Sequence, residues 1–146
     1  MRTKNASWYE VTVRHEQEQE DGTSKKITEL YVVDGTSFTE SEARILKELK
    51  TFVRSGLEIK NINPASYKEI FFSEDADDDK WYKAKISFIT VDEETGVEKR
   101  TNVTYLVQAS DIERALKNVE ETLGINKDEY VTANLAETKV VDVFEY

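Results

Sequence analysis

Gly22-Thr-Ser-Lys25-Lys26-Ile-Thr-Glu-Leu-Tyr31-Val-Val33 and Gly96-Val-Glu-Lys99-Arg100-Thr-Asn-Val-Thr-Tyr105-Leu-Val107 follow one pattern, offset by 74 from Gly22 to Gly96. Each begins at a glycine, carries a basic pair, and then runs through the β-branched and aromatic residues typical of a strand. Asp21-Gly22 and Thr95-Gly96 read as turns, because glycine supplies the positive φ that a tight hairpin needs. Before each turn lies another strand-like segment, Val11-Thr-Val13 and Ala84-Lys-Ile86-Ser-Phe88. These are opened by Trp8-Tyr9 and by Trp81-Tyr82, offset by 73 from Trp8 to Trp81. The two stretches therefore predict two β-hairpins.

A helix is expected after each hairpin. Thr39-Glu-Ser-Glu42 and Ser110-Asp-Ile-Glu113 both have the spacing of a capping box, in which the hydroxyl and the Glu satisfy first-turn amides. Apolar residues then recur at helical spacing: Ile45, Leu46, Leu49, Phe52 and Val53 in one copy, and Ile112, Ala115, Leu116, Val119 and Leu123 in the other. Gly56 and Gly124 stand where C-terminal caps are expected. Arg44-Ile-Leu46-Lys47 aligns with Arg114-Ala-Leu116-Lys117 at an offset of 70, which implies about four extra residues near Asp34–Phe38, in a loop. Asn63-Pro-Ala65 aligns with Asn134-Leu-Ala136 at an offset of 71, and Glu69-Ile-Phe-Phe72 and Val140-Val-Asp-Val-Phe144 close the copies as strands.

The reading is a tandem duplication of a β-β-α-β unit: repeat one at 7–73, an acidic joint at 74–79, and repeat two at 80–146. A hairpin alone is marginal in water and each half is small, so one domain over 1–146 is expected. The expected class is α+β, with a mainly antiparallel sheet, two helices on one face and a pseudo-two-fold axis. Sequence leaves open whether the halves share one sheet.

Composition narrows the chemistry. The chain of 146 residues is 38% hydrophobic, with two Trp, seven Tyr and six Phe, enough for a core. It lacks a long apolar run and an apolar leader, so a cytoplasmic location is expected. Without cysteine, thiolate metal sites and thiol nucleophiles are excluded, and with one histidine so is any multi-histidine site. The net charge of −10 disfavours binding a phosphate backbone through the bulk surface. Residues 1–73 hold 11 basic and 12 acidic residues, and residues 74–146 hold 9 and 18.

Each conspicuous feature has a functional and a structural reading. Asp75, Asp77 and Asp79 have the start of a calcium-loop spacing, but Lys80 and Ile86 stand where the loop needs Gly and Glu, so the stretch reads as a solvated acidic linker. His15 reads as a surface residue of a hairpin strand. Lys25, Lys26, Lys99 and Arg100 are candidates for paired anion contacts. Their structural alternative is cross-strand pairing, Glu18 with Lys25 and Asp92 near Lys99. Trp8 and Trp81 are candidates for stacking on nucleic-acid bases if exposed, and are otherwise core anchors. No catalytic residue, cofactor site or metal site is expected.

Trp8-Tyr9-Glu-Val-Thr-Val13, Tyr31-Val-Val33, Ser41-Glu-Ala-Arg44 and Trp81-Tyr82-Lys-Ala-Lys85 resemble an uncharacterised family of small proteins, of about 150 residues, from Bacteroidetes and their phages. The resemblance covers nearly the whole chain, carries no assigned activity, and implies a phage or mobile-element context. The expected function is a non-enzymatic binding or accessory protein that docks a macromolecular partner, and the expected partner is a protein. Three alternatives remain open: an acidic inhibitor mimicking nucleic acid, a hairpin-based nucleic-acid binder, and a carboxylate or metal enzyme at the repeat interface. A cleft gathering His15 with carboxylates counts against the non-enzymatic reading.

Overall fold

The computed structural model describes residues 1–53, 56–124 and 129–146. Its strands are β1 (Arg2–Lys4), β2 (Trp8–Glu18), β3 (Ser24–Asp34), β4 (Glu58–Ala65), β5 (Tyr67–Phe72), β6 (Lys80–Val91), β7 (Glu98–Ala109), β8 (Tyr130–Glu137) and β9 (Val140–Phe144). Its helices are α1 (Phe38–Leu49) and α2 (Ile112–Leu123). The protein is α+β and mostly sheet. There are two sheets, ordered β4-β2-β3-β9 and β1-β5-β7-β6-β8. The chain forms two compact units, Ala6–Ser66 with Lys139–Tyr146, and Met1–Asn5 with Tyr67–Thr138.

These units do not follow the expected repeat boundaries. β5 closes the first half of the sequence, yet it pairs in parallel with β7 of the second half. β9 closes the second half, yet it pairs in parallel with β3 of the first. Linker length explains the exchange. β4 lies at one edge of its sheet, and the vacant place beside β3 is three strand spacings away, roughly 14 Å. Ser66 alone joins β4 to β5, and at about 3.5 Å per residue it cannot bridge that gap. Thr138 and Lys139, which join β8 to β9, are also too short for the equivalent return.

The hairpins form as expected, with Gly22 at φ +83° and Gly96 at φ +70°. Both outer ladders carry a bulge at matching places, between Thr12 and Val13 in β2 and between Lys85 and Ile86 in β6. The parallel ladders match too, one slipping past Lys68 and the other past Val141. Val11 pairs with Ile62 and Ala84 with Leu135, so the third strands correspond at 73, not at the expected 71.

The helices also correspond differently from the sequence alignment. Ser37 caps α1 by accepting from the Glu40 amide, and Asp111 caps α2 by accepting from the Arg114 amide. The expected caps, Thr39 and Ser110, lie elsewhere. Ser37 to Asp111 is an offset of 74, so no extra residues sit before α1. The buried faces agree: Ser41, Ile45 and Leu49 match Ala115, Val119 and Leu123. Gly124 is the α2 C-cap, but Lys50 caps α1. Gly56 lies past the α1 end with φ +73°.

Each helix packs on one face of its own sheet. In the four-stranded unit Val11, Val13, Tyr31 and Val33 meet Ile45 and Leu49. In the five-stranded unit Ala84, Ile86, Tyr105 and Val107 meet Val119 and Leu123, with Phe71 brought by β5. No helix is long and apolar enough to cross a membrane among the described residues.

Candidate functional site

The residues singled out from sequence divide into two groups. Trp8 and Trp81 are each 2% exposed and offer no ring face to a base. Trp81 packs edge-on against Phe72, with centroids 5.7 Å apart. Lys25, Lys26, Lys99 and Arg100 are exposed on the far ends of the hairpins. Their register differs from the expected one: Lys25 faces Gln17, Lys26 faces Glu16, Lys99 faces Thr90 and Arg100 faces Ile89. Adjacent strand residues point to opposite faces, so each basic pair straddles its sheet instead of making one patch. Arg100 is held along its own strand by Glu98, with Nε 3.2 Å from the carboxylate.

The acidic joint is solvent-exposed, as expected, except at Asp78, and it is ordered as a turn. The Asp75 carboxylate accepts from the Asp77 amide at 2.9 Å, and the Ser73 hydroxyl accepts from the Asp75 amide at 3.1 Å. Asp78 is 3% exposed, accepts from the Ser73 hydroxyl, and lies 3.6 Å from Arg114 Nε. A charge can be buried there because it is paired and hydrogen-bonded. Among the described residues no group of three or more His, Asp or Glu side chains is placed to hold a metal ion.

A matched polar device ties each exchanged strand into its unit. The Tyr146 amide, just past β9, donates to the Asp34 carboxylate at 2.9 Å, and the Ser73 amide, just past β5, donates to the Gln108 side chain at 2.9 Å. The helices reach the same places. Arg44 donates to the Asp34 carbonyl at 2.6 Å, and Asn118 donates to the Gln108 carbonyl at 3.0 Å. In the four-stranded unit Arg44 also pairs with Glu40 at 2.8 Å and lies over the Tyr146 ring at 4.6 Å. Burial and the Glu48 carboxylate, which accepts from Tyr146, push that phenol up to about 12. These contacts close a strand seam and leave little free chemistry.

His15 is not the surface residue expected. It shares the helix-side face with Val11 and Val13, and its Nε2 is held by Glu29, with side-chain exposures of 12% and 24%. The Tyr31 hydroxyl donates to the same carboxylate at 3.3 Å. Burial, and then the Glu29 charge, raise the Tyr31 phenol. The matching positions in the other sheet are Phe88, Val103 and Tyr105, an apolar cluster. The tyrosine is common to both units, and one unit thus carries a His and a Glu where the other carries Phe and Val. Of His15, Glu29 and Tyr31, the first lines a cavity of about 560 Å³ together with Glu16, Glu18, Ser24 and the exposed Phe52. This gathering of the single imidazole with carboxylates bears against a purely non-enzymatic reading.

An open concavity lies in the five-stranded unit, between α2 and edge strand β8. It measures about 730 Å³ and is floored by Ile112, Leu116, Tyr130 and Leu135, with Glu113 and Glu120 at the rim. Sequence periodicity assigned Ile112 and Leu116 to the buried stripe, but they are 52% and 38% exposed. Their spacing of four on the flank of the Ala115/Val119 stripe is the signal that marks them. Burial raises the Tyr130 phenol, and the nearby Glu120 charge adds to it.

Fold and surface together define a small α+β protein of two units, each completed by a strand from the other half of the sequence, one of them bearing an apolar, acid-rimmed groove. The chain belongs to the DUF4494 family, a domain of unknown function, whose family model matches residues 7–146. No curated protein and no solved structure matches it.

Proposed function

We propose that this protein is a binding or accessory protein that acts by docking a macromolecular partner, in the phage or mobile-element setting its sequence resemblance implies. The open groove between α2 and β8 carries the reading, because contiguous exposed hydrocarbon beside a sheet edge is characteristic of interaction surfaces. We also propose that the two units descend from one duplicated element. The matched bulges, helix faces and strand ties support that origin.

The strand exchange weighs against the acidic-mimic alternative. It assigns 11 basic and 17 acidic residues to the five-stranded unit and 9 and 13 to the other, net −6 and −4. The asymmetry between the halves of the sequence is therefore diluted in the folded units. Asp34, Asp78 and Glu29 are also engaged by Arg44, Arg114 and His15.

The test is affinity capture with tagged full-length protein, from extract of cells that carry it, at low and moderate salt. The expected result is one protein retained in stoichiometric amount at moderate salt. Recovery of nucleic acid that salt removes replaces the proposal with the hairpin-binding reading. Recovery of nothing, with turnover of a small substrate lost in His15→Gln, replaces it with an enzyme.

A further inference from the structure

We infer that the outer edge of β8, with the groove beside it, receives an extended segment of a protein partner as an added strand, apolar in alternate positions and flanked by Lys or Arg. This inference rests on the docking reading above and names its site and the chemistry of its occupant.

Two outer strands occupy corresponding places, β4 in one sheet and β8 in the other. A bare edge invites further strands, and proteins guard against this with lysine, proline and bulges. β4 is guarded: its bulge residue is Lys60, and Pro64 follows. At the matching positions β8 has Ala133 and Glu137, and from Tyr130 to Ala136 it holds neither a charge nor a proline. Both edges carry the bulge, so among the described residues what sets them apart is the lysine and the proline, which β4 has and β8 lacks.

The β8 edge adjoins the groove. A strand laid along β8 presents alternate side chains to the α2 side. There they meet Ile112 and Leu116, both substantially exposed, in a volume of about 730 Å³ that holds several side chains. Backbone hydrogen bonds along the edge give affinity, and the groove selects apolar residues. The rim selects charge. Glu113 and Glu120 flank the groove, and the surrounding unit is net −6, so an incoming Lys or Arg is attracted. The same charge disfavours a second copy of this chain, whose own β8 brings an identical acidic rim.

The test is selection of a displayed library of random twelve-residue peptides on the full-length protein, followed by affinity measurement on one enriched peptide. Enriched sequences should alternate apolar residues and carry Lys or Arg at an end. Leu116→Asp should weaken binding by roughly tenfold or more, the usual size for a central apolar contact. Ala133→Lys, which copies the guard at Lys60, should weaken it similarly. Glu113→Lys with Glu120→Lys, on an exposed helix face that tolerates them, should shift selection toward acidic flanks. Enriched peptides indifferent to all three variants overturn the site, even where capture from extract has succeeded. Failure of any peptide to enrich, or self-association of the protein abolished by Ala133→Lys, overturns the occupant. Loss of capture from extract with peptide binding intact sinks the docking reading alone.

Discussion

Replacing His15 and Glu29 together by Phe and Val, the residues at the matching places of the five-stranded sheet, should leave the protein as stable as it was or more so. Each single change should cost stability. His15→Phe removes the imidazole from Glu29 and leaves its carboxylate with the Tyr31 hydroxyl at 3.3 Å. Glu29 is 24% exposed, so water reaches part of it, and the cost is about 1–2 kcal/mol. Glu29→Val strands an imidazole that is 12% exposed, at a similar cost of about 1–2 kcal/mol. The double variant removes both polar groups and restores hydrocarbon beside Val13 and Tyr31. Exchanging a partly buried, hydrogen-bonded polar pair for apolar side chains is neutral to stabilising, and partial exposure limits the gain here to about 0–2 kcal/mol. The double-mutant coupling is therefore at least about 2 kcal/mol, large for two side chains. Urea unfolding at neutral pH measures all four corners, with midpoints compared at constant slope. A double variant as unstable as the sum of its singles would refute the reasoning, because the two sheets would then not be interchangeable at these positions.

Val143→Asp in β9 should destabilise the sheet built by the first half of the sequence, by about 3 kcal/mol, since Val143 is 8% exposed and pairs with Val32. Hydrogen exchange should rise in β2 and β3, and unchanged protection there would contradict the strand exchange. The raised Tyr31 phenol favours the protonated folded state, so its contribution is complete below the ordinary phenol value near 10 and fades as pH climbs above it. Tyr31→Phe should flatten the alkaline fall in stability, read from unfolding midpoints between pH 9 and pH 11. Burial, with the Glu48 charge adding, raises Asp142 above the usual carboxylate value. Its ionised form therefore opposes folding at neutral pH, and Asp142→Asn should raise the midpoint at pH 7 while leaving it unchanged below the unfolded carboxylate value of 3.8.

Much of this fold is written locally. The Asp21-Gly22 and Thr95-Gly96 turns, the flanking β-branched runs and the apolar period of two 12-residue helices specify hairpins and helices wherever they occur. The correspondence between the halves was legible but slipped in two places, each by one period of the element. In α2 the aligned Arg-Leu-Lys motif shifts the match from 74 to 70, one helical turn, which leaves an apolar stripe in place. In β8 the shift from 73 to 71 is two residues, which keeps every side chain on its face. Periodic patterns cannot report their own phase, and only hydrogen-bonded register fixed it. Exposure was equally hidden: Ile112 and Leu116 look like core residues, and His15 looks like a surface residue, because hydropathy does not say what lies opposite a side chain. The exchange of β5 and β9 is a tertiary decision, although its cause is in the sequence. With Ser66 alone after one outer strand, and Thr138 and Lys139 after the other, the chain is too short to return across its own sheet, so each half completes the other.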